Sequence, residues 1–137
     1  MEDKFKFGMF LNTDHTATEE TNQNTYAVIF DEKNRMAVYA KNYDPDNFSA
    51  LEAELLKAAD EGLGLCIPTE QELLGLATVR SVIKPQLKQL GVKLPKGQVW
   101  TKTWHDDCSY FTVDLKKRCV HHAHPEEICG IILLVRF

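Results

Sequence analysis

A dense group of histidine and cysteine residues lies in segment 105–129, and two kinds of chemistry suit these residue types. Its members are His105, Cys108, Cys119, His121, His122, His124 and Cys129. Imidazole nitrogen and thiolate sulfur are ligands that zinc prefers. The spacings predict His105, Cys108, Cys119 and His121 as a candidate zinc site. No Cys-x-x-Cys knuckle is present, and the alternative is that the cysteines pack as small apolar side chains while the histidines lie on a hairpin.

Cys108 is also a candidate nucleophile, because His105, Asp106 and Asp107 directly precede it. Thiolate catalysis requires a base within hydrogen-bonding reach of the sulfur. These residues fall within one turn, whereas catalytic groups normally converge from distant parts of a fold. Cys66 lies in an apolar stretch, where a thiol is usually unreactive packing. The sequence therefore favours a protein that is not an enzyme and that needs no cofactor.

A second candidate feature is aromatic. Trp100, Lys102 and Trp104 alternate along a predicted strand and would share one face of it. A cation between two aromatic rings, followed by acidic groups and a histidine, suits a polar ligand with a flat face, such as a sugar or a protein aromatic side chain. If this face packs against helices, both tryptophans belong to the core instead. The predicted ligand-binding residues are Trp100, Lys102, Trp104, His105, Asp106 and Asp107.

A third feature is basic. Arg80, Lys84 and Lys88 repeat every four residues, so a continuous helix would place them on one face. That face could meet phosphate, an acidic glycan or an acidic partner surface. The alternative is an ordinary solvated helix face. Nucleic acid is a less suitable partner, because the whole chain is acidic and its basic and aromatic residues do not interleave.

Composition and charge limit the class of protein. The chain has 137 residues, of which 44% are hydrophobic and 26% charged, and its net charge is −4. These values predict a single globular domain over residues 1–137. The first 62 residues contain thirteen acidic and six basic residues, whereas the remainder contains seven acidic and ten basic residues. The charge is therefore asymmetric along the chain.

The sequence also bears on location. No apolar run approaches the roughly 20 residues that a membrane-spanning helix needs. The first residues lack the basic and apolar regions of a secretory signal, which predicts a cytoplasmic protein. A chain from which a leader had been removed would instead be extracellular or periplasmic. The four cysteines are expected to be reduced, although two disulfides remain an alternative in an oxidising compartment.

In the first half of the chain, alternation predicts a strand over 4–11, and apolar runs predict a hairpin formed by 25–30 and 36–41. The polar segment 12–24 is predicted to be a mobile loop. A helix is expected over 49–61, with Ser49 as its N-cap and Glu52 completing a capping box.

In the second half, the segment from Leu65 to Leu74 predicts a short strand that ends at Pro68 and leads into a helix beginning at Glu70. Thr69 and Glu72 have the spacing of a capping box. Pro85 disfavours helical geometry at the preceding residue, which predicts that the helix is broken or kinked there. Strands are expected over 99–104, 110–113, 118–122 and 131–137. The last of these is continuously apolar, which predicts a central strand. The order of elements predicts an α+β fold with two or three mid-chain helices against an antiparallel sheet.

Several of these motifs carry a family resemblance. Ile67-Pro68-Thr69 with Glu72-Leu73 resembles the "RLPT-x-x-EL" signature of the C-type-lectin-like domains in Legionella collagen-like adhesins and other bacterial surface proteins. Residues 99–103 are similar to the family's "Y-W-S-S-T" strand, and Val135-Arg136-Phe137 to its last strand. The resemblance covers residues 25–137 and implies a C-type-lectin-like fold. The calcium-ligand triplets of true C-type lectins are absent, so calcium-dependent sugar binding is not implied.

Together, the residues and the resemblance predict a non-catalytic recognition domain that binds a carbohydrate or a protein partner. The recognition surface is expected in the loops around 93–104 and 105–109, and the loop 12–24 is a further candidate part of it. One alternative is a small zinc- or thiol-dependent protein that uses segment 105–129. Another is a structural or assembly subunit.

Overall fold

The computed structural model describes residues 5–59 and 61–137. The elements in chain order are β1 (Phe10–Asn12), β2 (Ala17–Thr18), β3 (Thr25–Asp31), β4 (Met36–Tyr39), α1 (Phe48–Ala59), β5 (Leu65–Cys66), α2 (Glu70–Thr78), α3 (Arg80–Gln89), β6 (Gln98–Asp106), β7 (Ser109–Asp114), β8 (Cys119–Ala123) and β9 (Leu134–Arg136). The predicted α+β class with mid-chain helices is confirmed. None of the described helices is long and apolar enough to cross a membrane.

The strands form two antiparallel sheets. The first has six strands in the order β2-β1-β3-β4-β9-β5, and the second has three in the order β6-β7-β8. Strand β9 lies between β4 and β5, which confirms the prediction that the apolar C-terminal segment is a central strand. Its hydrogen-bonded part is shorter than predicted, although residues 131–135 are all buried.

Helices α2 and α3 connect the two sheets through one apolar core. Leu73, Leu76, Ile83 and Leu87 are fully buried, together with Val28 and Leu134 of the large sheet and Val99 and Val113 of the small one. A second cluster places α1 against the small sheet through Phe48, Leu51 and Trp100. The small sheet is therefore fixed by helices on both sides.

The junction from β5 to α2 has the predicted local structure. The N–H of Glu72 donates to Oγ1 of Thr69 at 3.2 Å, and the N–H of Thr69 donates to Oε1 of Glu72 at 2.8 Å. Both halves of the capping box are present. The second carboxylate oxygen of Glu72 lies 2.7 Å from the guanidinium of Arg136. The cap of α2 is thereby linked to the last strand of the sheet.

Two predictions for the N-terminal region need correction. Of the strand predicted over 4–11, Lys4 lies outside the described residues, and the regular strand begins only at Phe10. Gly8 has φ +89°, a left-handed conformation that interrupts an extended strand. The predicted loop 12–24 contains β2, and Asn12 is buried and hydrogen-bonded to Thr16 and Thr25.

The predicted cap of α1 is wrong. Its cap is Asn47, whose side-chain oxygen accepts a hydrogen bond from the N–H of Ala50 at 3.0 Å, and not Ser49. Asparagine caps as well as serine does, and the earlier start allows Phe48 to be buried in the first turn. The helix is described to Ala59, and Asp60, within the predicted range, lies outside the described residues.

The break predicted before Pro85 is also wrong. Lys84 and Pro85 both lie inside α3, and the helices are separated at Val79 (φ −107°, ψ 15°). The hydroxyl of Thr78 donates to the carbonyl of Leu74 at 3.0 Å, a back-bond that bends helix ends. Burial of Ile83 and Leu87, worth roughly 1.5–3 kcal/mol for each side chain, outweighs the local bias at Lys84.

Candidate functional site

The strand that carries the predicted ligand-binding residues is irregular. Trp100 of β6 is paired with Thr112 of β7, but Trp104 is paired with Tyr110, so β6 advances by four residues while β7 advances by two. Extra residues of this kind form a bulge that changes the directions of the side chains. Simple alternation therefore does not describe the segment between the two tryptophans.

The two tryptophans have different environments. Trp100 is fully buried, and its indole N–H donates to the carbonyl of Asp46 at 2.8 Å. Trp100 is thus a core residue, as the alternative interpretation predicts, and is not accessible to a ligand. Trp104 is 59% exposed, which is unusual for so large an aromatic side chain.

A column of aromatic rings supports Trp104. Its ring stacks on Tyr110 with centroids 4.5 Å apart, and Tyr110 stacks on Phe48 at 3.9 Å. Phe48 meets the buried Trp100 edge to face at 5.5 Å. We call Trp100, Phe48, Tyr110 and Trp104 the aromatic column. Because each ring packs on the next, the exposed indole is held by the core rather than by its own backbone alone.

Tyr110 places a hydroxyl beside this exposed ring. Burial is the main cause that raises the pKa of Tyr110, and the nearby carboxylate of Glu52 raises it further. The phenol therefore stays protonated and can donate a hydrogen bond at neutral pH. Glu52 is exposed and can accept a hydrogen bond.

His105 lies on the opposite face of the small sheet from Trp104. Its ring stacks on His122 with centroids 4.0 Å apart and meets the edge of Phe111 at 5.0 Å. Phe111 and His122 are cross-strand partners in β7 and β8. The predicted group of tryptophans and histidine is therefore divided between two faces.

Asp106 organises the turn that follows β6. Its carboxylate accepts hydrogen bonds from the N–H of Cys108 at 2.8 Å and from the hydroxyl of Ser109 at 3.0 Å, and it contacts His105 at 3.0 Å. These hydrogen bonds, first of all that of Cys108, lower the pKa of Asp106. The carboxylate is thus occupied within the turn, while Asp107 remains exposed.

The turn brings together a serine, a histidine and an aspartate without forming a catalytic triad. Both Ser109 Oγ (2.9 Å) and Asp106 Oδ2 (3.0 Å) contact the same nitrogen, Nδ1 of His105. In a triad the acid and the nucleophile contact different ring nitrogens, so that the histidine can orient and transfer a proton at the same time. Ser109 is also buried, at 6% exposure. The arrangement stabilises the turn.

The four predicted zinc ligands do not come together. Cys119 and His121 are adjacent on β8, with Sγ and Nε2 3.2 Å apart. They share a sheet face with Asp114 and Thr112, their cross-strand partners, whereas His105 lies on the other face. Over residues 5–59 and 61–137, no group of three or more histidine, cysteine, aspartate or glutamate side chains is arranged to hold a metal ion.

Lys102 is exposed, in the irregular part of β6 between the two tryptophans. Its backbone N–H donates to the carbonyl of Pro68 at 2.9 Å, which places this part of the bulge beside the start of α2. Burial raises the pKa of the Cys66 thiol, and the charge of Lys102 is among the weaker influences that lower it. Lys102 is therefore associated with the β5–α2 junction.

Sequence reasoning missed Phe48 and Glu52 as parts of these surroundings. Both lie on α1, and the contacts between α1 and the small sheet depend on the tertiary fold. Neither a protein-family model nor a curated protein matches the chain significantly. The resemblance to lectin-like domains therefore stays a prediction.

Proposed function

We propose that this protein is a non-catalytic recognition domain that binds a carbohydrate at a surface centred on Trp104. The observation that carries the proposal is the exposed indole of Trp104, stacked on Tyr110 and through it on the core. An aromatic ring fixed before binding loses little conformational entropy when a ligand stacks on it. The apolar face of a sugar ring suits such a flat surface.

Polar groups beside the ring complete the proposed site. The Tyr110 hydroxyl can donate a hydrogen bond, and the Glu52 carboxylate can accept one from a sugar hydroxyl. The remaining predicted residues have a supporting role in this proposal: Asp106 and His105 hold the turn at the end of the hairpin, and Asp107 is exposed there. Recognition rather than catalysis fits the shared ring nitrogen in the His105 turn.

A glycan array probed with labelled protein tests the proposal, followed by calorimetry with the neutral oligosaccharides that bind. Trp104→Ala should weaken binding at least tenfold, whereas Trp104→Phe, which keeps a ring on Tyr110, should lose less. Ile128→Ala is the matched control, because it removes another exposed apolar side chain (63% exposed) outside the aromatic column. The circular dichroism spectra of the variants establish that they are folded.

Two results would contradict this function. Equal binding by Trp104→Ala and the original protein would remove Trp104 from the site. Absence of binding across the array would exclude the carbohydrates tested, and capture of a protein through Trp104 would then favour the protein-partner alternative.

A further inference from the structure

Three separate segments surround a pocket of about 670 Å³ at the other end of the small sheet. They are one face of α3, the connection 92–97 and the turn between β7 and β8. Its seven basic lining residues are Arg80, Lys84, Lys88, Lys93, Lys96, Lys116 and Lys117. We call this the basic pocket. It lies away from Trp104, because Gln98 pairs with Asp114 at one end of the β6–β7 hairpin and Asp106 pairs with Ser109 at the other.

The continuity of α3 creates the first wall. Since Pro85 does not interrupt the helix, Arg80, Lys84 and Lys88 remain one turn apart on a single face. The neighbouring face, with Ile83 and Leu87, is buried in the core. The helix therefore presents its cations in a fixed row along the pocket.

The second wall is pinned by Asn42. Its side-chain nitrogen donates to the carbonyl of Gly91 at 2.9 Å, and its side-chain oxygen accepts from the N–H of Lys93 at 3.0 Å. Val92 is buried at 7% exposure. These contacts hold the start of connection 92–97 against the fold, so the wall is formed before a ligand arrives.

The third wall is the turn from β7 to β8. Asp114 accepts the N–H of Lys117 at 2.9 Å, Leu115 is buried at 1% exposure, and Arg118 has φ +54°. The turn is thus fixed by a side-chain hydrogen bond and by the core. Asp114 is the only acidic residue among the described residues that line the pocket.

The positive charge of the basic pocket is not balanced by the protein. Among the described residues, none of the seven basic side chains forms an ion pair with a carboxylate. The chain as a whole has a net charge of −4, so the pocket concentrates charge of the opposite sign. A concave surface of one sign focuses the electric field and attracts counter-charged ligands.

The shape and lining define the ligand class. The pocket volume falls within the range of small-molecule sites, roughly 300–1,000 Å³. Val92, Leu94 and Pro95 provide apolar lining beside the cations. A long nucleic acid suits it less, because no aromatic side chain lines the described part of the pocket for bases to stack on. We propose that the basic pocket binds a small organic molecule that carries two or more phosphate groups and an apolar or ring portion.

This binding site is independent of the proposed carbohydrate surface. The phosphates would lie between the α3 row and the lysines of the two other walls, where several cations can contact one polyanion. The ring portion would lie on the apolar residues of connection 92–97. Lysine binds phosphate as a mobile point charge, so the number of phosphates should affect affinity more than their exact geometry.

Calorimetry with full-length protein in 150 mM NaCl tests the proposal, using ADP, AMP and inorganic pyrophosphate as probes. ADP should bind at least tenfold more tightly than AMP, because it brings a second phosphate, and at least threefold more tightly than pyrophosphate, because its ring contacts the apolar wall. The double variant Lys84→Gln, Lys116→Gln should weaken ADP binding at least tenfold. It changes two walls of the pocket without removing a buried side chain.

The matched control is Lys6→Gln, Lys33→Gln, which removes the same charge from exposed positions that do not line the pocket. It should change ADP affinity less than twofold. Three outcomes overturn the proposal: no ADP binding, an equal loss of affinity in the control variant, or equal affinities for ADP and pyrophosphate. Binding of DNA or heparin that is lost in the pocket variant, in the absence of ADP binding, would assign the pocket to a macromolecular polyanion instead.

Discussion

Trp100 and Trp104 show that two residues of one type on the same strand can have different environments. Both contact Tyr110, yet one is fully buried and the other is 59% exposed. Water reaches only the second indole. The buried indole N–H of Trp100 donates a hydrogen bond to the carbonyl of Asp46. Trp100 therefore leaves no buried polar group without a partner.

This difference predicts the fluorescence of the protein. The original protein should contain an emission component that acrylamide quenches strongly, and Trp104→Phe should remove it and leave a blue-shifted, protected emission from Trp100. Stern–Volmer analysis of acrylamide quenching measures the accessible fraction in the original protein and in the variant. An unchanged quenchable fraction in Trp104→Phe would mean that Trp100 is the accessible residue.

The cysteines should differ in reactivity for a similar reason. Cys108 is exposed, Cys66 and Cys119 are partly buried, and Cys129 is buried; none of the four is in a disulfide. Burial, assisted by the charge of Glu127, raises the pKa of Cys129 to about 11. Only the thiolate reacts, so this thiol has almost no reactive form at pH 8.

We therefore expect iodoacetamide at pH 8 to modify Cys108 first and Cys129 last. Peptide mass spectrometry over a time course gives the order of labelling. Modification in denaturant is the control, because unfolding should make the four rates similar. Early labelling of Cys129 in the folded protein would contradict its assigned burial.

At the scale of single elements, the capping box connects a local sequence pattern to the tertiary fold. Glu72 accepts the N–H of Thr69 and also pairs with Arg136 of β9. The side chain of Glu72 is 15% exposed and that of Arg136 is 51% exposed, so water screens the pair from one side and its contribution to stability is modest. The beginning of α2 is thus held from both sides.

Thr69→Ala should lower the free energy of unfolding by about 1 kcal/mol, the usual effect of losing an N-cap oxygen. Thr69→Ser, which keeps that oxygen, is the control and should change stability little. Leu73→Ala should lower it by roughly 2–5 kcal/mol, because Leu73 is fully buried. Urea denaturation measures all three, and an unaffected Thr69→Ala would show that the cap contributes nothing.

These elements also show what the sequence can predict. The strand-to-helix junction at Thr69 and the central position of β9 follow from short-range patterns and continuous apolarity, and both are confirmed. The helical continuity through Pro85 was not predictable, because it depends on the burial of Ile83 and Leu87. The exposure of Trp104 beside a buried Trp100 likewise depends on where α1 packs against the small sheet, which has no local signature.

At the scale of the whole molecule, the two proposed sites lie at opposite ends of the small sheet and differ in chemistry. One presents an aromatic ring with neighbouring hydrogen-bonding groups, and the other is a concave, cationic pocket. The aromatic column belongs to the apolar cluster that contains Phe48 and Trp100, whereas the basic pocket borders the cluster that contains Ile83, Leu87 and Leu115. The basic residues that are frequent in the second half of the sequence also lie together in the fold. Seven of the 16 lysines and arginines line the basic pocket.

This concentration of cations should reduce stability when the pocket is empty. Like charges one helical turn apart are destabilising by roughly 0.2–0.5 kcal/mol for each pair, and Arg80, Lys84 and Lys88 form two such pairs. Replacing Lys84 and Lys88 by glutamine, which has a similar helix propensity, should raise the free energy of unfolding by about 0.5–1 kcal/mol at low ionic strength. The gain should disappear in 1 M NaCl, where the Debye length is about 3 Å.

The control for this effect is Lys57→Gln in α1. The ammonium of Lys57 lies 3.6 Å from the carboxylate of Glu54, so its loss should lower stability by a few tenths of a kcal/mol at low salt. Urea denaturation at 10 mM and 1 M NaCl measures both variants. At low salt, we expect the free energy of unfolding to rise in the Lys84, Lys88 variant and to fall in Lys57→Gln. At high salt, both variants should approach the stability of the original protein. If the Lys84, Lys88 variant is instead less stable at low salt, the two lysines must interact favourably with nearby acidic groups. Only then does removing their positive charges lower the stability of the fold.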